Sequence, residues 1–302
     1  MSILSRPTLL RTLTALFAIT WLAAMAGPAL AERILFVGNS FTFGAGSPVR
    51  TYRPDLVRDL NREGIGGVPA LFKRFAEQAG QNWDVSLETA SGQDFAYHLA
   101  NKRAQLTGVW DVVVLQDYST LDKLRPGDPA AHVRDAERLA MLFKAANPRV
   151  RVLLETTWSR ADLTYPPGAP YRGKSIRAMT EDIARGNALA IGSTRDLFAG
   201  TVPVGEAWLR AMSQGVADPN PYDGIAFGKV NLWTWDHYHA SAAGYYLAAL
   251  VIFGRVTGVD PRTLGIRERA AEDLGLQPQT AVALQRIAAE ELANPGGPRP
   301  AR

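Results

Sequence analysis

Three short segments of the chain are apolar at successive positions rather than at alternating ones. They are Arg33–Val37 (R-I-L-F-V), Asp111–Leu115 (D-V-V-V-L) and Val150–Thr156. A strand that is apolar on both faces must be covered on both faces, which is the arrangement of a parallel sheet between two layers of helices. This feature therefore predicts a buried parallel sheet.

Segments with the helical spacing of apolar residues alternate with these strands, and Val85–Thr89 and Val202–Val204 are two weaker strand candidates. The helical segments are Val68–Ala79, Pro129–Ala146, Ile176–Ala190, Glu206–Ser213, Ser241–Val256 and Gln279–Leu292. The alternation predicts an α/β fold, a three-layer α/β/α sandwich whose parallel sheet has about five strands. Such sheets bind ligands beyond the carboxyl ends of their strands.

The N-terminus has the pattern of a targeting signal. Two arginines precede the uncharged stretch Leu13–Ala26, and a Gly-Pro pair and the tripeptide A-L-A follow. We expect Met1–Ala31 to be a cleaved signal peptide and the protein to be exported, either periplasmic or secreted. The alternative is an uncleaved membrane anchor, because Thr12–Ala31 carries no charge. After cleavage we expect no stable membrane insertion.

Composition excludes several classes of site. The chain has no cysteine, so disulfides, cysteine-ligated zinc, iron–sulfur clusters and a thiol nucleophile are ruled out. The formal net charge is only +4 and the basic residues are scattered, so we expect no nucleic-acid partner. We expect residues 32–293 to form one catalytic domain and the Pro- and Gly-rich residues 294–302 to be a disordered tail.

A candidate nucleophile follows the first strand. Ser40 lies in the small-residue turn Gly38-Asn39-Ser40, where its side chain would project from the carboxyl edge of the sheet with its backbone N–H free. The alternative is a capping serine in a turn that only ends the strand.

A candidate base and its carboxylate partner precede the helix at Ser241. His239 can accept a proton near neutral pH, and Asp236, three residues earlier, can fix its tautomer. The alternatives are a chance D-x-x-H pattern and an H-x-H metal pair of His237 and His239, for which no third ligand stands at a supporting spacing. We expect His98 and His132 to face solvent.

Two further strand ends offer hydrogen-bond donors to an oxyanion. Gly92 follows the strand candidate that ends at Thr89, and its backbone N–H could donate if the turn has positive φ. Gln116, at the end of the strongest strand, could donate through its side-chain amide. The alternatives are a simple turn at Gly92 and a role for Gln116 in holding loop backbone.

The motifs together, in this order along the chain, resemble those of the SGNH (GDSL-like) hydrolases. I-L-F-V-G-N-S-F-T at 34–42, Ser91-Gly92, D-V-V-V-L-Q-D at 111–117 and D-H-Y-H-A-S-A-A-G-Y-Y at 236–246 are similar to the four blocks of that family. The resemblance implies a flavodoxin-like fold and a serine mechanism without metal or organic cofactor. Ser40 would be the nucleophile, His239 the base and Asp236 its partner. Ser40 and Gly92 would donate to the oxyanion. Two departures stand out: Asn39 replaces the usual Asp, and no Asn occurs between Val109 and Thr120 to complete the oxyanion hole, a place that Gln116 could fill.

Three tryptophans stand near these motifs. Trp233 and Trp235 precede Asp236, and Trp158 follows the strand that begins at Val150. Flat aromatic side chains suit sugar rings, and the family includes carbohydrate acetylesterases, so we expect a small-molecule or glycan ester as substrate, with O-acetyl groups favoured. The alternative is that the tryptophans are core residues. At the level of function, the alternatives are a non-catalytic glycan-binding protein and an O-acetyltransferase.

Overall fold

Six parallel strands form one sheet in the computed structural model, which describes residues 31–194 and 196–294. The strands are β1 (Glu32–Gly38), β2 (Arg58–Asp59), β3 (Trp83–Thr89), β4 (Val112–Leu115), β5 (Arg151–Glu155) and β6 (Gly200–Val202). The predicted signal peptide (residues 1–31, Ala31 apart) and the predicted tail (residues 294–302, Asn294 apart) lie outside the described residues.

The strand order is β2-β3-β1-β4-β5-β6, so β1 lies inside the sheet between β3 and β4. Ile34 of β1 stands opposite Val85 on one side and Val112 on the other. Without β2 the order is the flavodoxin-like one, as predicted. The additional strand β2 was not predicted because its two residues, which pair with Ser86 and Leu87, are too few to show an apolar pattern.

Helices flank the sheet on both faces. They are α1 (Ser40–Phe43), α2 (Gly67–Gln78), α3 (Phe95–Asn101), α4 (Arg103–Leu106), α5 (Ala130–Ala146), α6 (Arg177–Ser193), α7 (Val204–Ser213), α8 (Ala242–Thr257), α9 (Arg269–Asp273) and α10 (Pro278–Ala293). The six predicted helices are α2, α5, α6, α7, α8 and α10, and their ends agree with the prediction to within three residues. The unpredicted helices have seven residues or fewer, which is too short for an apolar repeat.

Successive residues of the strands enter two different cores. Ile34 and Phe36 of β1 pack into a cluster covered by α2, α7, α8 and α10. Leu35 and Val37 face the other way, into a cluster formed with α3, α5 and α6. The lack of alternation in the sequence thus reflects burial on both faces, and the three-layer α/β/α prediction is confirmed.

Helix α8 lies at the centre of the first core. It is apolar around its whole circumference and is buried from Ala243 to Gly254, in contact with α2, α7 and α10. Ser241 caps it by accepting a hydrogen bond from the backbone N–H of Gly244 (3.2 Å). The fixed start of α8 anchors the turn that holds Asp236 and His239. None of the helices in residues 31–194 and 196–294 has the length and hydropathy of a membrane span.

Candidate active site

Ser40 stands at the carboxyl edge of the sheet as the first residue of α1. Asn39 caps this short helix. Its Oδ1 accepts a hydrogen bond from the N–H of Phe41 (3.2 Å), and its carbonyl accepts from the N–H groups of Thr42 and Phe43. Ser40 itself is only 4% exposed. The predicted position of the serine, in the turn that ends β1, is the observed one.

Asn39 also holds the loops beside Ser40 in place. Its Nδ2 donates to the carbonyls of Gln93 (3.0 Å) and Asp117 (3.2 Å), which belong to the loops after β3 and β4. A carboxylate has no N–H and could not make these two bonds. The Asn that departs from the family pattern therefore connects the ends of three adjacent strands.

Gln116 serves the same loops rather than an oxyanion hole. Its Oε1 accepts from the backbone N–H of Asn39 (2.9 Å) and from Oγ1 of Thr42 (3.0 Å). Its Nε2 donates to the carbonyl of Asp117, and the side chain is 1% exposed. The side chain thus takes the alternative role of holding loop backbone, through its oxygen and one of the two N–H bonds of its Nε2, and the oxyanion role expected for Gln116 is not observed in this arrangement.

Asp236 and His239 form a hydrogen-bonded pair in the turn before α8. Nδ1 of His239 lies 2.6 Å from Oδ2 of Asp236. Oδ1 accepts the backbone N–H groups of Tyr238 (3.0 Å) and His239 (2.9 Å). Burial acts to raise the pKa of Asp236, but the hydrogen bonds from the imidazole and from the two N–H groups outweigh it and lower that pKa. The carboxylate is thus ionised and fixed against the ring.

Ser40 and the imidazole of His239 lie in the same part of the sheet edge. Nε2 of His239 is buried and has no hydrogen-bond partner in the described part of the chain. The ring of Phe41, next to Ser40, has its centroid 6.0 Å from that of His239. From α8, the hydroxyl of Tyr245 donates to the carbonyl of Ser40 (3.2 Å). The structure therefore holds the serine and the Asp–His pair together, with no bond between Ser40 and Nε2 in this state.

Two backbone N–H groups, which follow β1 and β3, have no backbone acceptor in the described part of the chain. Gly92 has a φ of +64°, the left-handed conformation that favours glycine, and no atom lies within 4 Å of a Cβ built there. No backbone carbonyl of residues 31–194 or 196–294 accepts the N–H of Gly92 or of Ser40. Both groups are available to an anionic oxygen.

Two of the three predicted sugar-binding tryptophans are core residues. Trp158 is fully buried, stacked between Phe41 (ring centroids 4.0 Å apart) and Trp208 (4.8 Å). Trp233 is 1% exposed and donates from Nε1 to the carbonyl of Ser159 (3.0 Å). Neither offers a ring face to a ligand, which corrects the expectation for both. Trp235 is 82% exposed, directly beside Asp236.

Three residues near Ser40 were not found from the sequence. The phenol of Tyr238 lies near enough to the hydroxyls of Ser40 and Ser119 to interact electrostatically with both. The guanidinium carbon of Arg160 lies 3.5 Å from the centroid of the Tyr238 ring, and its Nη1 donates to Oγ of Ser119 (3.4 Å). No motif marks Ser119 or Arg160, and Tyr238 could have been noted only because it stands between Asp236 and His239.

Two other histidines are buried against carboxylates, so the expectation that they face solvent was wrong. His98 contacts Glu88, and Nδ1 of His132 lies 2.8 Å from Oδ2 of Asp117, beside a cavity of about 400 Å³. Where the structure describes the chain, no three His, Asp or Glu side chains are grouped to hold a metal ion.

The sequence matches no protein-family model and no curated protein. Solved structures do match it. A DUF4886 family protein from Bacteroides uniformis is 16% identical with a TM-score of 0.59, and the match covers 88% of this chain and 96% of that one.

Two further solved structures are similar over a smaller part of the chain. A protein assigned as a GDSL-like lipase, from Parabacteroides merdae, is 17% identical with a TM-score of 0.53, over 75% of this chain and 95% of that one. A catalytic mutant of an acetylxylan esterase from Geobacillus stearothermophilus is 16% identical with a TM-score of 0.50, over 75% and 94%. The chain therefore shares the fold of these three proteins, at low sequence identity.

Proposed function

We propose that the protein is an exported serine esterase that hydrolyses short-chain esters, O-acetyl groups on a carbohydrate above all. The observation that carries the proposal is the 2.6 Å contact between Asp236 and His239, whose Nε2 is left without a partner at the sheet edge where Ser40 stands. A histidine held by a carboxylate at Nδ1 is ready to accept a proton at Nε2.

The chemistry proceeds in two half-reactions. Oγ of Ser40 attacks the ester carbonyl carbon and passes its proton to Nε2 of His239, while the N–H groups of Ser40 and Gly92 stabilise the oxyanion. The C–O bond to the alcohol then breaks, and the alcohol leaves with the proton from His239. In the second half-reaction His239 takes a proton from water, whose oxygen bonds to the acyl carbon; the bond to Oγ of Ser40 then breaks, Oγ takes the proton back from His239, and the acid is released. Asp236 keeps the imidazole in the required tautomer and stabilises the imidazolium.

Exposed aromatic side chains beside this turn support a carbohydrate as the alcohol. Trp235 is 82% exposed next to Asp236, and Tyr222 is 46% exposed with its ring centroid 4.4 Å from that of His237. Such side chains combine an apolar face with a polar group, as sugar recognition requires. The fold similarity to an acetylxylan esterase agrees with an acetylated glycan as substrate.

Export is part of the same proposal. A signal peptide over residues 1–31 would leave one catalytic domain, residues 32–293, and a disordered tail, residues 294–302. Expression of the full chain, followed by mass spectrometry of the exported protein, tests this. The mature N-terminus is expected at Glu32, and a protein that retains Met1 in the membrane fraction would overturn it.

The activity is tested with p-nitrophenyl acetate and with acetylated xylan, on the purified protein and on Ser40→Ala. We expect release of p-nitrophenol and acetate by the native protein alone. Equal rates for both proteins would refute the esterase. Retention of the glycan by both would favour a binding protein. Acetylation of an added glycan acceptor would identify a transferase.

A further inference from the structure

The oxyanion hole of the proposed esterase lacks a donor on one side. Ser40 follows the interior strand β1, and Gly92 follows β3 on one side of it. On the other side, after β4, the family resemblance leads us to expect an amide side chain, but Gln116 donates from Nε2 to the carbonyl of Asp117 and accepts with Oε1 from the N–H of Asn39. A tetrahedral intermediate is best stabilised by donors that converge on its oxygen.

The Tyr238 side chain fills that side. Its phenol lies near the hydroxyls of Ser40 and of Ser119, and Ser119 lies in the loop after β4. The ring is held from several directions. Its centroid lies 5.4 Å from that of Phe41 and 4.0 Å from that of His239, and the Tyr238 carbonyl accepts from Nε1 of Trp158 (3.2 Å). The phenol is therefore positioned against the nucleophile by the same residues that position the base.

Arg160 makes the phenol a stronger donor. Its guanidinium lies over the Tyr238 ring at 3.5 Å and is fixed by two hydrogen bonds to Asp162 (3.1 and 2.6 Å). A cation over the ring withdraws electron density from it. Burial raises the pKa of the Tyr238 phenol, while the Arg160 charge and the two serine hydroxyls act in the opposite direction. The group thus keeps its proton at neutral pH and can donate it in a hydrogen bond.

We propose that the Tyr238 hydroxyl is a third oxyanion donor and a catalytic residue of the proposed esterase, a role that rests on Ser40 being its nucleophile. As Oγ of Ser40 bonds to the carbonyl carbon, the carbonyl electron pair moves to oxygen and the serine proton moves to His239. The phenol then exchanges its contact with the Ser40 hydroxyl for a hydrogen bond to the oxyanion. It keeps its own proton throughout.

The test is Tyr238→Phe, which removes the hydroxyl and retains the ring beneath Arg160. We expect kcat for p-nitrophenyl acetate to fall about a hundredfold, with KM within about threefold of the native value, because one oxyanion donor is lost. Inhibition by phenylboronic acid, which forms a tetrahedral adduct with a catalytic serine, is expected to weaken by a similar factor. A merely structural role would instead change KM and the thermal midpoint.

Tyr246→Phe is the matched control. Tyr246 is fully buried in α8, and its hydroxyl accepts from Nε2 of Gln285 (3.1 Å), remote from Ser40. We expect Tyr246→Phe to have the kcat and the boronate affinity of the native protein. Should Tyr238→Phe fail to fold, Ser119→Ala removes the second partner of the phenol, and kcat is expected to fall about threefold or more with KM unchanged.

The outcomes separate this inference from the proposed function. Ser40→Ala with native activity would refute both. An inactive Ser40→Ala together with a fully active Tyr238→Phe would refute the phenol donor alone. An equal loss in Tyr238→Phe and Tyr246→Phe would also refute it, since that would be a general effect of deleting a tyrosine hydroxyl.

Discussion

The substitution Asp236→Asn tests how the turn before α8 controls the base. Oδ1 of Asp236 accepts two backbone N–H groups, and Oδ2 lies 2.6 Å from Nδ1 of His239. In the variant the amide oxygen can keep both backbone bonds, so the turn is preserved. The amide nitrogen then faces Nδ1 with a hydrogen-bond donor. The imidazole must then adopt the tautomer that has its lone pair on Nδ1 and its proton on Nε2. In that tautomer Nε2 cannot accept the proton of Ser40.

We expect a large loss of kcat in Asp236→Asn, because the histidine is held in the wrong tautomer although the geometry of the turn stays intact. Loss of the correct tautomer lowers kcat by roughly 10⁴ in enzymes with a Ser-His-Asp triad, which corresponds to about 5 kcal/mol of activation free energy. The loss of a charge-assisted hydrogen bond costs only about 1.5–3 kcal/mol of stability. The catalytic defect should therefore far exceed the change in the free energy of unfolding.

The assay compares kcat for p-nitrophenyl acetate with urea unfolding monitored on the same samples. Asp218→Asn is the control: Asp218 accepts the backbone N–H of Asn220 on Oδ1 (3.0 Å) and that of Ala226 on Oδ2 (2.9 Å) and pairs with no histidine, so the variant loses one backbone bond without changing the base. We expect it to retain kcat within about threefold, since Asp218 has no hydrogen bond to Ser40, Asp236 or His239 in the described part of the chain. A kcat for Asp236→Asn within tenfold of native, or an equal loss in both variants, would refute the reasoning.

Three further predictions follow from buried or crowded positions and from one exposed ring. Burial raises the pKa of Glu155 from the usual 4.5 to about 8. Because the unfolded chain releases this proton at a lower pH than the folded protein does, the free energy of unfolding falls as pH rises between those two values, by about 3 kcal/mol at neutral pH. Unfolding of Glu155→Gln should show a shallower fall of stability with pH, and parallel stability curves for the two proteins would contradict this. A Cβ on Gly38 would lie 2.2 Å from Oγ1 of Thr42, so Gly38→Ala should destabilise the folded protein by about 1–3 kcal/mol and reduce its activity. A Cβ on Gly192, in α6, would have no atom within 4 Å, so Gly192→Ala should do neither. Loss of the ring in Trp235→Ala should raise KM for acetylated xylan about fivefold and leave that for p-nitrophenyl acetate unchanged, as aromatic contacts contribute about 1 kcal/mol; an unchanged xylan KM would exclude this ring from the site.

The elements that position the site could be predicted because their signals are local. The apolar run of β1 and its small-residue turn mark where Ser40 leaves the sheet. The D-x-x-H spacing matches the observed turn, in which one carboxylate bonds both to backbone and to the ring. Helix α8 was recognisable because it is apolar on every side and preceded by the capping Ser241.

Other features depend on contacts between distant segments and leave no local signal. Gln116 stands at the right strand end for an oxyanion donor, but its Nε2 donates to the carbonyl of Asp117 and its oxygen accepts from the N–H of Asn39, 77 residues away. Trp158 has the position of a ligand platform but is buried by the stacking of Phe41 and Trp208. Only the fold brings together Arg160, Ser119 and Tyr238. Such tertiary pairings decide whether a polar or aromatic side chain meets substrate or other protein atoms.

Covalent labelling by a fluorophosphonate tests the central claim, that Ser40 is a nucleophile activated by His239. The expected adduct forms when Oγ bonds to phosphorus, fluoride leaves and the serine proton passes to His239. We expect a single adduct on the tryptic peptide of residues 34–50, placed by fragmentation on Ser40 rather than on Ser47. It should be absent from Ser40→Ala and strongly slowed in His239→Asn. No adduct on the folded protein, or an adduct that persists in Ser40→Ala, would contradict the account.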